Sequence, residues 1–125
     1  MKEKYRDGLV NLKIRCKKKE VNVMVKRANI FQRLFGLMFK SNKTDNLLFD
    51  FQKETNLSLH SLFVFFPFLV LWLNKDNEII KSRLCKPFEL KISTNKLFCK
   101  IVELPFNNDN KQIIYFFVGK ERFKY

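Results

Sequence analysis

Apolar and polar positions alternate strictly near the start of the chain. Val10, Leu12, Ile14 and Cys16 alternate with Asn11, Lys13, Arg15 and Lys17. A period of two sends successive side chains to opposite faces, so this segment is expected to be a half-buried strand. After the polar "KKKE", Val21, Val23 and Val25 alternate with Asn22, Met24 and Lys26, and the two runs predict a hairpin whose turn lacks Gly. The period then lengthens. Phe31, Leu34, Phe35 and Met38 stand at i, i+3, i+4 and i+7, one face of a short α-helix around residues 30–40. Asn29, with Gln32 three residues on, forms a capping-box-like start. Ser41-Asn42 closes the helix, and Lys40 suits the negative end of its dipole.

Beyond this point the chain reads as short strands: "NLLFDF", "LSLHSLFVF", "LVLWLN", "EIIKSRL", "FELKI", "LFCKIVEL", "QIIYFFV" and a last piece, "ERFKY". Pro67 cannot donate to a ladder, so "VFFPF" marks a bend between strands. "NKDN" is a tight turn in which Asn77 tolerates a positive φ, and residues 107–110 form a loop. Eight to ten short strands and one helix predict a mainly β fold, a single-domain antiparallel β barrel or sandwich of jelly-roll type. Neither an internal repeat nor a linker interrupts it, so one domain is expected over residues 1–125, with 1–8 flexible.

The stretch "LHSLFVFFPFLVLWL", residues 59–73, is the most apolar. Leu62, Val64 and Phe66 point one way and Phe63 and Phe65 the other, as expected for a central strand covered on both faces. The rival is an exposed aromatic face used for a ligand or a second subunit. It is too short to cross a bilayer: residues 62–73 are interrupted by Pro67, and a span needs about 20 apolar residues.

Composition supports a packed core. The chain has fifteen Phe and is 46% hydrophobic, so it does not resemble a disordered segment. Net charge is +13, and residues 1–27 hold ten Lys or Arg against Glu3, Asp7 and Glu20. That excess suggests an anionic partner, nucleic acid or an acidic surface. Equally, Lys, Asn, Phe and Ile are abundant together, as in a compositionally biased genome. Cys16, Cys85 and Cys99 are scattered without a C-x-x-C pair, a poor basis for a disulfide framework or a zinc site. They read as small core residues in a reducing cytoplasm. The N-terminus lacks the apolar region of a signal peptide.

Chemistry-bearing motifs are sparse. The chain contains no G-x-S-x-G, no glycine-rich phosphate loop and no H-E-x-x-H, and its glycines are only Gly8, Gly36 and Gly119. No catalytic residue, metal ligand or cofactor is therefore assigned. Glu103 falls by strand parity with Leu97, Cys99 and Ile101. An acid on an apolar face needs a partner, or its pKa rises until it is neutral. Arg33, off the apolar stripe of the helix, could supply a bidentate one. Such a pair either locks helix to barrel or lines a small polar pocket. His60, the single histidine, reads as a hydrogen-bonded strand residue, or as a member of that pocket. Arg33, His60 and Glu103 are thus the ligand-pocket candidates. For nucleic acid, Lys13, Arg15 and Lys17 line the outward face of the first strand, extended by Lys18, Lys19, Lys26 and Arg27. Tyr5, Tyr115 and Tyr125 are available for stacking. A peripheral role at an anionic membrane rests on the same lysines but lacks an amphipathic basic helix.

The segments "FQRLFGLMFK" (31–40), "NLLFDF" (46–51), "HSLFVFFPFLVLWLNKDNEII" (60–80), "IVELPFN" (101–107) and "VGKERF" (118–123) resemble, in order and spacing over about residues 20–125, the domain-of-unknown-function 192 family, also called uncharacterised protein family 0127. Arg33, Gly36, Leu37 and Met38 are the most specific part, and the compact "FVFFP" form resembles archaeal members. The resemblance implies a small, mainly antiparallel β structure with Gly-Leu-Met on a short helix, and no known activity. It also implies an Asp two residues after the proline, where this chain has Leu69. Two family turn glycines are Asn77 and Asn107 here, replacements that the left-handed tolerance of Asn can accommodate. The chain is expected to be a non-catalytic small-molecule or protein-binding β domain. The alternative is a nucleic-acid-binding domain acting through the basic hairpin.

Overall fold

The computed structural model describes residues 8–28, 36–61 and 63–119. Six strands and one helix follow one another: β1 (Leu9–Cys16), β2 (Lys19–Arg27), β3 (Leu47–Thr55), β4 (Phe68–Leu73), β5 (Ile79–Cys85), β6 (Phe98–Pro105) and α1 (Lys111–Val118). They form one mainly β sheet in the order β1-β2-β3-β6-β4-β5. The alternating pattern at the start produces the expected hairpin, running from Leu9 opposite Lys26 to Cys16 opposite Lys19. Its turn contains no Gly, and Lys17 takes the left-handed conformation instead (φ 59°). β2 meets β3 in parallel over only Lys26–Leu47 and Arg27–Leu48, whereas the other strand pairs of the sheet are antiparallel.

The sheet curls into a half-barrel whose two borders touch. Arg15 of β1 bridges Glu78 beside β5, and the Arg15 amide donates to the Asn77 carbonyl at 2.9 Å. β4 lies within this curl with all six residues buried. Its period of two sorts them. Leu69, Leu71 and Leu73 join Leu12, Ile14, Val23, Val25, Leu48, Val102, Leu104 and Ile114 inside the curl. Phe68, Val70 and Trp72 face the opposite side, with Leu37, Phe49, Val64, Phe66, Phe98 and Ile101. A strand that is apolar at every position is one covered on both faces. Each fully buried Leu or Phe contributes about 1.5–3 kcal/mol relative to leaving it in water.

Several expected elements differ. "QIIYFFV" is helix, not strand. Ile114 is buried, with Ile113, Phe117 and Val118 packed beside it, so the covered positions follow helical spacing inside a run too uniformly apolar to display it. Asn110 precedes the helix, and Gly119 ends it at φ 86°, donating its amide to Tyr115 O at 2.8 Å. "LSLHSLFVF" and "FELKI" are not strands either, and touch through a single Leu59–Ile92 bridge. Among the described residues the strands therefore number six, below the expected eight to ten. Of the helix expected around residues 30–40, positions 29–35 lie outside the described residues, and Gly36–Phe39 form a turn. "ERFKY" also lies outside the described residues.

The missing ladder is replaced by the hydroxyl and main chain of one residue. Ser61 is fully buried. Its hydroxyl donates to Lys86 O at 2.7 Å and accepts from the Glu89 amide at 2.5 Å. Its amide donates to Glu89 O, and its carbonyl accepts from Phe88 N, both at 2.8 Å. A second polar knot fastens the opposite end. The Asn110 amide group donates to Asn46 Oδ1 (2.8 Å) and Pro105 O (2.7 Å), and that of Asn107 donates to Asn42 O (2.6 Å). Asn107 is not among the described residues of positive φ, whereas Asn77 is (64°). Of the two expected left-handed replacements, only Asn77 holds. Asn107 serves through its side chain.

Candidate functional site

β6 is flanked by β3 and β4, and register places Glu103 opposite Leu47 on one side and Val70 on the other. Parity with Ile101 turns its carboxyl to the aromatic-rich face. There it is only 5% exposed, and Oε1 has no hydrogen-bond partner among the described residues. Burial pushes the carboxyl up to about 8, because a low-dielectric surrounding penalises the charged form. The group is therefore mainly protonated at neutral pH.

The carboxyl lines a cavity of about 160 Å³. Leu37, Phe49, Val64 and Phe68 are buried members of its wall, and exposed Leu57, Ser58 and His60 stand at its mouth. A dry cavity of roughly this size holds a benzene-sized molecule. Two of the three pocket candidates, His60 and Glu103, thus line one cavity. His60 is not a strand residue as expected. It follows the isolated bridge at Leu59 and is exposed. Arg33, and with it the expected Arg33–Glu103 ion pair, lies outside the described residues. Among the described residues, no cluster of three or more His, Cys, Asp or Glu is arranged to hold a metal ion.

The basic hairpin is partly self-neutralised. Arg15 pairs with Glu78 at 3.5 Å and Arg27 with Asp50 at 3.6 Å, and Lys19 Nζ lies 5.7 Å from the Phe116 ring centre. Lys13, Lys17 and Lys18 are exposed and Lys26 is half-buried. Lys17, Lys18 and Lys19 border a groove of about 570 Å³ with Cys16, Ile79, Ser82, Phe116 and Phe117. Tyr115 packs against Phe106, ring centres 6.2 Å apart. Tyr5 and Tyr125 lie outside the described residues. Cys85 and Cys99 are buried and free. The Cys85 thiol is pushed up to about 12 by burial, which removes it as a nucleophile. Leu69 is fully buried inside the curl, so the carboxylate that the resemblance implies there is replaced by core.

Sequence reasoning misses the Arg83–Glu89 ion pair and the exposure of Phe39 and Phe88. For Phe63 and Phe65 the expected second covered face is overturned, and the rival reading, an exposed aromatic face, describes them: their parity is opposite to that of buried Val64 and Phe66.

The family model for DUF192, described as Uncharacterized ACR, matches residues 11–111. The chain belongs to the DUF192 family. The matched DUF192 region starts in β1, earlier than the resemblance suggested, and ends before "VGKERF" (118–123), which it does not include. No curated protein matches the chain. Two solved structures are similar. One, from Sinorhizobium meliloti 1021, is described as a "putative transcription regulator": TM-score 0.66, 21% identity, covering 81% of each chain. The other, a protein of unknown function from Novosphingobium aromaticivorans DSM 12444, has TM-score 0.68 and 11% identity over 84% of this chain and 78% of its own. At these identities the likeness shows the DUF192 fold alone.

Proposed function

We propose that this chain is a non-catalytic, cytoplasmic, single-domain binding module whose pocket takes a small, largely apolar molecule bearing one basic or hydrogen-bonding group. One observation carries the reading: the buried, unpartnered Glu103 Oε1 lines an otherwise apolar cavity. A buried polar atom without a partner is costly, and a ligand atom that satisfies it recovers that cost. Apolar walls with one or two convergent polar groups are the usual make-up of such sites. Free cysteines suit the location, and a protonated acid beside a single exposed imidazole suits binding better than turnover.

Benzylamine and toluene, titrated into isotopically labelled protein, test this. Amide shifts confined to residues 36–37, 49, 59–60, 64 and 103, larger for the amine and lost in Glu103→Leu, are expected. Equal response of wild type and Glu103→Leu, or no response around the cavity, overturns the reading.

A second reading has its own observation: three consecutive lysines share a groove with two aromatic rings, Phe116 and Phe117. Such a surface can hold single-stranded nucleic acid. Binding of a dT oligomer that weakens steeply with salt and is abolished by Lys17→Glu/Lys18→Glu would support it.

A further inference from the structure

Four phenylalanines that the pocket does not use stand together at the surface. Phe39, Phe63, Phe65 and Phe88 are 68, 46, 58 and 53% exposed. They come from three loops. Phe39 stacks on Phe63 with ring centres 5.1 Å apart, and Phe65 meets Phe88 edge-on at 5.4 Å. The Phe39 amide also donates to Phe63 O at 2.9 Å.

The backbone holds these rings outward against its own preference. Phe39, Phe63 and Phe88 have φ of 61°, 61° and 63°. A bulky residue in the left-handed region is an outlier that persists only where its surroundings enforce it, and such strain gathers at functional positions. Here the buried Ser61 supplies the enforcement through its bonds to residues 86–89.

The rim is cationic. Lys86 and Lys91 are exposed and Lys40 is half-exposed. Two acids stand in these loops: Glu89, held by Arg83 and by the Lys86 amide, and Asp45, in the segment between Lys40 and β3; no ion pair joins any of the three lysines to another described residue. Two copies of this face would bring like charges together. At about 200 Å² per ring, the four phenylalanines expose roughly 450 Å², about half of the ~800 Å² per partner typical of a stable protein interface. Rings that enter a bilayer need no such area, because interfacial binding sums buried apolar surface and attraction to anionic lipid.

We propose that Phe39, Phe63, Phe65 and Phe88, with Lys40, Lys86 and Lys91, form a reversible docking face for an anionic lipid bilayer. The rings enter the boundary between headgroups and acyl chains, and the lysine heads meet the headgroups. This role is separate from the pocket and from the lysines of the β1–β2 hairpin.

Cosedimentation of the full chain with vesicles of phosphatidylcholine alone, or of phosphatidylcholine and phosphatidylserine, tests it. Binding is expected with phosphatidylserine only. Phe63→Ser/Phe65→Ser is expected to weaken it at least about tenfold, and Lys86→Gln and Lys91→Gln about fivefold each, with circular dichroism and melting temperature unchanged. A Phe65→Trp reporter should shift its emission to the blue on vesicle addition. Three results overturn the proposal: no binding, binding indifferent to the Phe substitutions but lost with Lys17, Lys18 and Lys19, or self-association abolished by Phe63→Ser, which would assign the face to a second copy. If Phe63→Ser/Phe65→Ser does not fold, the unshifted emission of Phe65→Trp is decisive against it.

Discussion

The two faces of β4 belong to one strand but to different kinds of protein. Inside the curl, Leu69, Leu71 and Leu73 belong to a buried cluster that is wholly aliphatic and donated by strands and by Ile114 of α1, with Phe106 and Phe117 only partly buried against it. On the other face, Phe68, Val70 and Trp72 are covered by Leu37, Val64, Phe66 and Ile92, all from loops or an isolated bridge. Both buried side-chain atoms without a hydrogen bond among the described residues, Trp72 Nε1 and Glu103 Oε1, belong to residues turned to this second face. So does the cavity. Strands cover a surface with every polar backbone group satisfied. Loops cover it with gaps, and the gaps are where ligands and partners are accommodated. The difference puts the cavity and the unpaired buried polar atoms on the loop-covered side and the fully sealed packing on the strand-covered side.

The sharpest way to break that contrast is to place a charge where the curl is complete. Leu69→Asp, which puts back the residue that the family resemblance implies, should cost more than about 4 kcal/mol at neutral pH, because nothing inside the curl pairs with a carboxylate. Failure to see a collapse of the denaturant midpoint would mean that the interior is less dry than its burial indicates. Leu71→Ala comes next, with an expected loss of about 3 kcal/mol from transfer and cavity terms, read from the same unfolding curves.

Glu103 probes the other face through pH. Its folded-state pKa of about 8 lies above the ordinary carboxyl value of 4.5, so between those values the native state binds more protons than the unfolded one. Stability then falls as pH rises from 4.5 through 8, by an amount on the order of 3–4 kcal/mol between pH 5 and pH 8. Glu103→Gln should flatten that slope in thermal melts and exceed wild type in stability at pH 9. An unchanged slope would show that the carboxyl finds a partner in solution. The smallest effect belongs to the surface. Arg15→Ala removes a half-exposed pair with Glu78 and should shift stability by less than about 1 kcal/mol, diminishing further in high salt.

Legibility in the sequence followed the same division. The hairpin, β3, β4, β5 and β6 were readable because strand-covered positions repeat with a clean period or run unbroken. Glu103 was readable by parity, since an acid among Cys99 and Ile101 stands out. The loop-covered side was not. Ser61 looks like any polar residue in "LHSLFVF", yet its backbone and hydroxyl hydrogen bonds convert an expected strand into a looped support. No local pattern announces left-handed Phe39, Phe63 or Phe88, because tertiary contacts impose it. Helix α1 was misread despite its flanking Asn110 and Gly119, since "IIYFFV" is apolar at every position and β-branched or aromatic throughout, the composition of a strand.

The contact between Arg15 and Asn77–Glu78 has a consequence for how this chain behaves in a crowded solution. Unpaired strand borders are templates on which neighbouring molecules add, and a phenylalanine-rich polypeptide is especially prone to such growth. By folding its first strand round to its fifth, with α1 alongside, the molecule turns its most adhesive margins toward each other and leaves cationic side chains facing outward.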